Sequence, residues 1–218
     1  MTNVKATVKR LPVYLEYLRR LPPHMPQNIS ATAIAQALCL GEVQVRKDLA
    51  SISTSGRPRI GYQKDTLIHD IEHALGLSKT WNAVVVGAGY LGMALYKHKG
   101  FVAYGLNIKA AVDIDSKKCD GKNVFPLSDL PVICRTSIIR IGILTVPDGQ
   151  GQTACDAMVQ AGIAAIWNFT SVCLHVPDGV LVQNENMASS LSVLSCHLQE
   201  HLHNQPTETE AFIHKNGK

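Results

Sequence analysis

The chain has 218 residues, six cysteines and a formal charge of +4 at pH 7, which is enough length for one large domain or two small ones with buried cores. No apolar run approaches the ~20 residues that span a bilayer, and the basic start around Lys5, Lys9 and Arg10 lacks a signal peptide's apolar stretch. A cytoplasmic protein with no membrane partner is expected. Cys39, Cys119, Cys134, Cys155, Cys173 and Cys196 form no C-x-x-C pair, which argues against a metal site and a disulfide framework and predicts reduced, mostly structural thiols.

Charge is uneven along the chain. Residues 1–62 carry nine Lys or Arg against three acids, net +6, and the remainder sums to −2. Such a concentration suits a polyanion, although a solvated basic surface accounts for charge alone equally well. Val8 to Leu21 has mostly helical apolar spacing and ends at Pro22-Pro23. After a loop at Pro26 to Asn28, Ser30 is placed to cap a second helix, Ala31 to Leu38, and Cys39-Leu40-Gly41 makes a tight turn. Glu42 to Ile52 follows as a third helix with Val45, Leu49 and Ile52 on one face and Gln44, Arg46, Lys47 and Ser51 on the others. Short helix, glycine turn, basic helix is a helix-turn-helix.

Ser53 to Gly56 then links to Arg57-Pro58-Arg59-Ile60-Gly61-Tyr62, where alternating arginines and glycine predict a small β-wing. Such a wing reaches phosphates or a narrow minor groove. Helix pairs of this kind also occur in proteins that never meet nucleic acid; the basic charge and the wing together favour double-stranded DNA. Gln44, Arg46, Lys47, Ser51, Arg57, Arg59 and Tyr62 are the expected contacts. Lys64 to Leu75 is a further amphipathic helix with Gly76 after it, and Leu77 to Thr80 closes a first domain, 1–80.

Val84-Val85-Val86-Gly87-Ala88-Gly89-Tyr90-Leu91-Gly92 opens the second domain as strand, glycine turn and helix. Gly87 permits the turn, Gly89 leaves room for a pyrophosphate, and Gly92 lets helix and strand approach. The apolar run Ile108 to Asp113 ends in a carboxylate about twenty residues on, where an acid meets the adenosine ribose and disfavours a 2′-phosphate. Strands near Val124-Phe125, Ile141 to Val146, Ala165 to Phe169 and Val180 to Val182 alternate with helices at Ser128 to Cys134 and Thr153 to Ala161. The pattern predicts an α/β, Rossmann-like domain over 81–186 with a mostly parallel sheet covered on both faces. NAD(H) is the expected cofactor, held by Gly87, Ala88, Gly89, Tyr90, Leu91, Gly92 and Asp113. Thr145-Val146-Pro147 and Asn168-Phe169 lie at strand ends where ligands of such sheets bind, or serve as ordinary loop caps. A last helix, 187–203, has an apolar face of Met187, Leu191, Leu194 and Leu198 for a second subunit or for its own sheet, and the polar tail 204–218 is expected to be disordered.

Winged helix, dinucleotide domain and lone terminal helix, in that order, resemble the Rex family of redox-sensing transcriptional repressors. The resemblance runs to about His203 and rests on Arg10-Leu11-Pro12, Gln44 to Leu49, Gly61-Tyr62, Gly87 to Gly92, Lys99-Gly100-Phe101, Asp113-Ile114-Asp115, Leu144 to Pro147 and Ile166 to Phe169. It implies a homodimer that exchanges the terminal helix between subunits, binds a palindromic, A/T-rich operator and releases it when NADH rises. Where described members carry an arginine, a tyrosine and an aspartate as a polar switch, this chain has Glu16, His98 and Asn186, so the ion-pair relay is not available in that form. Two further readings stand beside it: a constitutive DNA-binding dimer with an unsensed dinucleotide, and an NAD-dependent dehydrogenase in which His98 would be the base.

Overall fold

The computed structural model describes residues 6–22 and 26–203, so the tail 204–218 lies outside the described residues. By internal packing the chain divides after Thr80, with Phe101–Gly105 returning to the first unit.

In the first unit, α1 (Ala6–Arg20) buries Leu11, Tyr14, Leu15 and Leu18, the i, i+3, i+4, i+7 set of one helix face. The helix runs through Pro12, whose missing N–H removes one backbone bond. Burial of that face holds it together. Strand β1 (Asn28–Ile29) leads into α2 (Ala31–Ala37), and the Ser30 hydroxyl accepts the Ala33 N–H at 3.0 Å, the cap the sequence predicts. Helix α3 (Glu42–Ile52) turns Val45 and Leu49 onto the same core, and α4 (Lys64–Ala74) closes it with Leu67 and Ile71.

The stretch expected as a loop at Pro26 to Asn28 ends in β1, which pairs antiparallel with β2 (Tyr62–Gln63) through Ile29 opposite Tyr62. Two residues are too few for a periodic signal. The wing itself is a tight turn closed by one bridge, Arg57 to Gly61, and not a strand pair. Gly61 has φ +88°, and a Cβ there would collide with the Ile29 carbonyl oxygen, so only glycine lets the turn dock on β1.

The second unit contains β3 (Trp81–Val86), α5 (Tyr90–Lys97), β4 (Leu106–Asp113), β5 (Val124–Pro126), α6 (Leu130–Thr136), β6 (Ile139–Leu144), α7 (Gly151–Gln160), β7 (Ala165–Asn168), β8 (Leu181–Asn184) and α8 (Met187–His203). The six strands are all parallel in the order β5-β4-β3-β6-β7-β8. Alternate residues of β3 serve opposite faces: Ala83 and Val85 pack with Ala111 and Ile143, while Val84 and Val86 pack with Leu130, Met158 and Ile166. The sheet is therefore covered on both sides, as the continuous apolar runs predict. Chain order reverses between β3 and β6, which makes their C-terminal ends, Val86 opposite Leu144, the switch point where ligands of such sheets bind.

Helix α8 buries none of its residues. Met187, Leu191, Leu194, Leu198 and Leu202 stand exposed along one face at helical spacing.

Candidate functional site

At that switch point lies a cavity of about 690 Å³, lined by Val86, Gly87, Gly89, Tyr90 and Leu91 from the glycine turn, by Asp113 and Lys118 after β4, and by Thr145, Val146 and Pro147 after β6. The chain turns at Gly87 with φ +105°, and a Cβ there would sit 2.9 Å from the Thr145 carbonyl. At Gly92 a Cβ would collide with the Gly87 carbonyl oxygen and come within 2.6 Å of the Thr145 hydroxyl. That hydroxyl donates to the carbonyls of Gly87 at 2.8 Å and Val86 at 3.2 Å, tying the β6 end to the turn. Gly89 has nothing within 4 Å of its would-be Cβ. The space is open over the first turn of α5, whose free N–H groups suit a phosphate. This is the arrangement a pyrophosphate fits.

Asp113 ends β4 with its side chain 6% exposed. Its carboxylate accepts the Ala88 N–H at 2.7 Å, the Asp115 N–H at 2.9 Å and the Lys118 ammonium at 3.0 Å. Burial alone would raise its pKa, but the bonds from Asp115, Lys118 and Ala88 outweigh that and hold the group below the usual carboxylate range. It stays ionised at the cavity edge.

Several expected cofactor residues do other work. Gly92 and Ala88 lie behind the cavity wall. Asn168 is fully buried: its amide donates to the Asn184 side chain at 2.8 Å and the Val172 carbonyl at 3.1 Å, and its oxygen accepts the Thr170 N–H and hydroxyl. It pins the loop after β7, and Phe169 packs tilted on Trp167, ring centres 4.8 Å apart. Strand β6 ends at Leu144, so Thr145 to Pro147 are a loop and not the strand end expected. Sequence reasoning missed Lys118, Ile114, Leu127 and the α7 residues Thr153 and Ala154 in the lining. Lys118, five residues after the Asp113 carboxylate, is the one with a readable signal.

The basic half is built on Asp48, buried to 1% on the inner face of α3. Arg10 donates to it twice, Nε at 2.6 Å and Nη2 at 2.8 Å; Tyr14 donates at 2.8 Å, and Thr7 and Gln44 each at 3.0 Å. The Arg10 bonds lead in holding the carboxyl down at about 2, with Tyr14, Thr7 and Gln44 adding to them against burial. Burial and the Asp48 bond push the Tyr14 hydroxyl up to about 12. Arg10 is thus an internal strut and not part of a free basic surface. Arg19 pairs with Glu72, Arg20 with Glu16, and Arg46 with Glu42.

Among the described residues up to Tyr62, Lys9, Lys47, Arg57 and Arg59 are exposed and in no ion pair, and the last three lie on α3 and the wing. Gln44 is exposed with its amide steadied by Asp48, and the Ser51 hydroxyl donates to the Asp48 carbonyl at 2.7 Å. Val43, overlooked in the sequence, is an exposed apolar side chain beside them. Tyr62, expected to contact DNA, is buried 2.8 Å from where a Gly56 Cβ would lie, so it supports the wing from beneath. At the switch positions, Glu16 binds Arg20 within α1, and the Asn186 oxygen accepts the Ser189 N–H at the start of α8 at 2.9 Å. His98 ends α5, its ring beside Gly100.

The cysteines are all free: Cys134 and Cys155 are buried, and burial pushes both thiols up, whereas Cys39, Cys173 and Cys196 are exposed. No cluster suited to a metal ion and no helix long and apolar enough to cross a membrane occurs among the described residues.

Comparison with known proteins agrees with this geometry. Residues 4–50 match a family described as "Putative DNA-binding protein N-terminus", and residues 78–172 match "CoA binding domain". A "Redox-sensing transcriptional repressor Rex" of Treponema denticola is 42% identical over 193 residues, covering 86% of this chain and 91% of that protein. The crystal structure of RSP with β-NAD⁺ and operator DNA superposes with a TM-score of 0.81 at 32% identity, over 90% of this chain and 92% of that one. RSP with β-NADH gives 0.80 at 32% identity, over 92% and 96%. Similar over nearly its whole length to proteins of that name, the chain belongs to the Rex family of redox-sensing transcriptional repressors.

Proposed function

We propose that this protein is a homodimeric repressor that binds operator DNA through α3 and the wing, holds NAD(H) in the cavity at the glycine turn, and releases DNA when NADH replaces NAD⁺. The observation that carries the reading is the joint presence, in one chain, of an open phosphate cradle and a helix-plus-wing on which Lys47, Arg57 and Arg59 are exposed and in no ion pair, Arg46 being paired with Glu42. RSP, similar over nearly its whole length, was crystallised with both kinds of ligand. Gln44, Arg46, Lys47 and Ser51 face the major groove, with the Val43 methyls suited to a thymine methyl. Arg57 and Arg59 grip phosphates or a narrow, A/T-rich minor groove. The exposed stripe of α8 is the dimer contact, exchanged between subunits, and a two-fold dimer reads a palindrome. As a DNA-binding regulator it works in the cytoplasm.

The dehydrogenase reading has no support from the relatives, which are named as repressors. A dinucleotide can shift the dimer only by its differential affinity for the two arrangements. Gel shifts on an operator titrated with NADH and NAD⁺ test the proposal: NADH should weaken binding well beyond NAD⁺, and equal DNA affinity under both would leave only a constitutive binder.

A further inference from the structure

The Asp113–Lys118 pair carries a conclusion about specificity that rests on the nucleotide reading above. A carboxylate offers about four lone-pair positions. Three of Asp113's are taken: Oδ1 accepts the Asp115 N–H, and Oδ2 accepts both the Ala88 N–H and the Lys118 ammonium. One position remains for a ribose that brings two hydroxyls. The usual exclusion of a 2′-phosphate depends on the negative charge of that carboxylate. Here an ammonium 3.0 Å away offsets the charge at the point where it would act.

Lys118 is placed to do more than neutralise. Its side chain is 44% exposed and lines the cavity, and only one of its three donors is engaged among the described residues. The other two are available to an anion beside Asp113. We infer that Lys118 sets how this site treats a 2′-phosphate, giving NADP(H) an anion contact so that the chain separates it from NAD(H) less sharply than Asp113 alone would. A purely structural ion pair, fixing the turn after β4, would instead affect both dinucleotides alike.

Calorimetric titration of the full chain with NADH and with NADPH, at low salt, separates these cases. Lys118→Gln should weaken NADPH about tenfold more than NADH, the effect of removing one nearby opposite charge at a partly exposed site. Lys118→Arg should keep the parental ratio, since it keeps the charge. Equal weakening of both ligands, or an unchanged ratio, overturns the inference. A parent that binds NADH but shows no NADPH binding at millimolar concentration overturns it as well. A parent that binds neither removes the inference and the nucleotide reading together.

Discussion

Replacing Asp48 by asparagine tests whether the recognition helix is anchored by a buried charge. Five donors converge on the two Asp48 oxygens: Thr7, Arg10 Nη2 and Gln44 on Oδ1, Arg10 Nε and Tyr14 on Oδ2. An isosteric amide turns one oxygen into a donor, so at least two of those donors then face an N–H₂ group inside the fold. A carboxyl lowered from 3.8 to about 2 contributes roughly 2 kcal/mol to stability. Unpaired buried donors add to this, so Asp48→Asn should cost about 3 kcal/mol at pH 7. The folded value is depressed, so the contribution is complete above about pH 4 and is lost as pH falls through about 2. Native-state hydrogen exchange of the amides at Val45 and Leu49 reads this without requiring the whole chain to unfold in one step. The variant's deficit should be full at neutral pH and shrink below pH 4. Protection within about 0.5 kcal/mol of the parent at pH 7 would refute the anchoring argument.

The glycine turn makes a paired prediction. Gly89→Ala, with open space around its Cβ, should fold normally but bind NADH at least about tenfold more weakly in calorimetry, because the methyl occupies the pyrophosphate's approach. Gly92→Ala, aimed at the Gly87 backbone, should instead cost about 3 kcal/mol in thermal melts, and a normal melting curve would contradict the close approach of α5 to the Gly87 carbonyl. Arg57→Ala with Arg59→Ala should lower DNA affinity on specific and random duplexes alike and flatten the salt dependence by about 2 per half-site, which a gel-shift series in salt measures. Ile138 sits at φ +50° with its side chain 70% exposed, a conformation costly for a branched residue, so Ile138→Asn should stabilise the chain by about 1 kcal/mol; a lower melting temperature would show that its exposed side chain matters elsewhere. Leu194→Glu in the exposed stripe of α8 should leave a monomer in sedimentation, and an intact dimer would move the contact away from that helix.

What was legible in the sequence follows from the range of each interaction. The β3–glycine–α5 unit, the inward face of α3 and the carboxylate at Asp113 are fixed by local periodicity and by glycine chemistry, so each stands where expected. The Arg10–Asp48 anchor joins residues 38 apart, and in a sequence both look like ordinary surface charges. Tyr62 reads as an exposed aromatic on a basic loop until β1, itself too short to see, fixes which side of the wing faces the core. Asn168 reads as a ligand at a strand end, yet its bonds reach Asn184, sixteen residues on, in a strand that no local pattern pairs with β7.

The changed switch positions bear on how a signal at the cavity reaches the dimer. Glu16 is engaged with Arg20 inside its own helix, and Asn186 caps α8 through Ser189, so neither holds a charge ready for the family's ion pair. What connects the ligand end of the sheet to α8 is a different set of bonds. Asn168, at the C-terminal end of β7, binds the Asn184 side chain at 2.8 Å, and its carbonyl accepts the Glu185 N–H at 2.8 Å. The Trp167 indole donates to the Glu185 carboxylate at 2.9 Å. Three bonds therefore fix the two residues that immediately precede Asn186 and the start of α8. A displacement of the β7 end would act on the start of α8 through these three bonds. Two of the three are neutral hydrogen bonds, and the third, from the Trp167 indole to the Glu185 carboxylate, is charge-assisted. Any coupling between a bound dinucleotide and α8 is bounded by the difference in NADH and NAD⁺ affinity for the two arrangements.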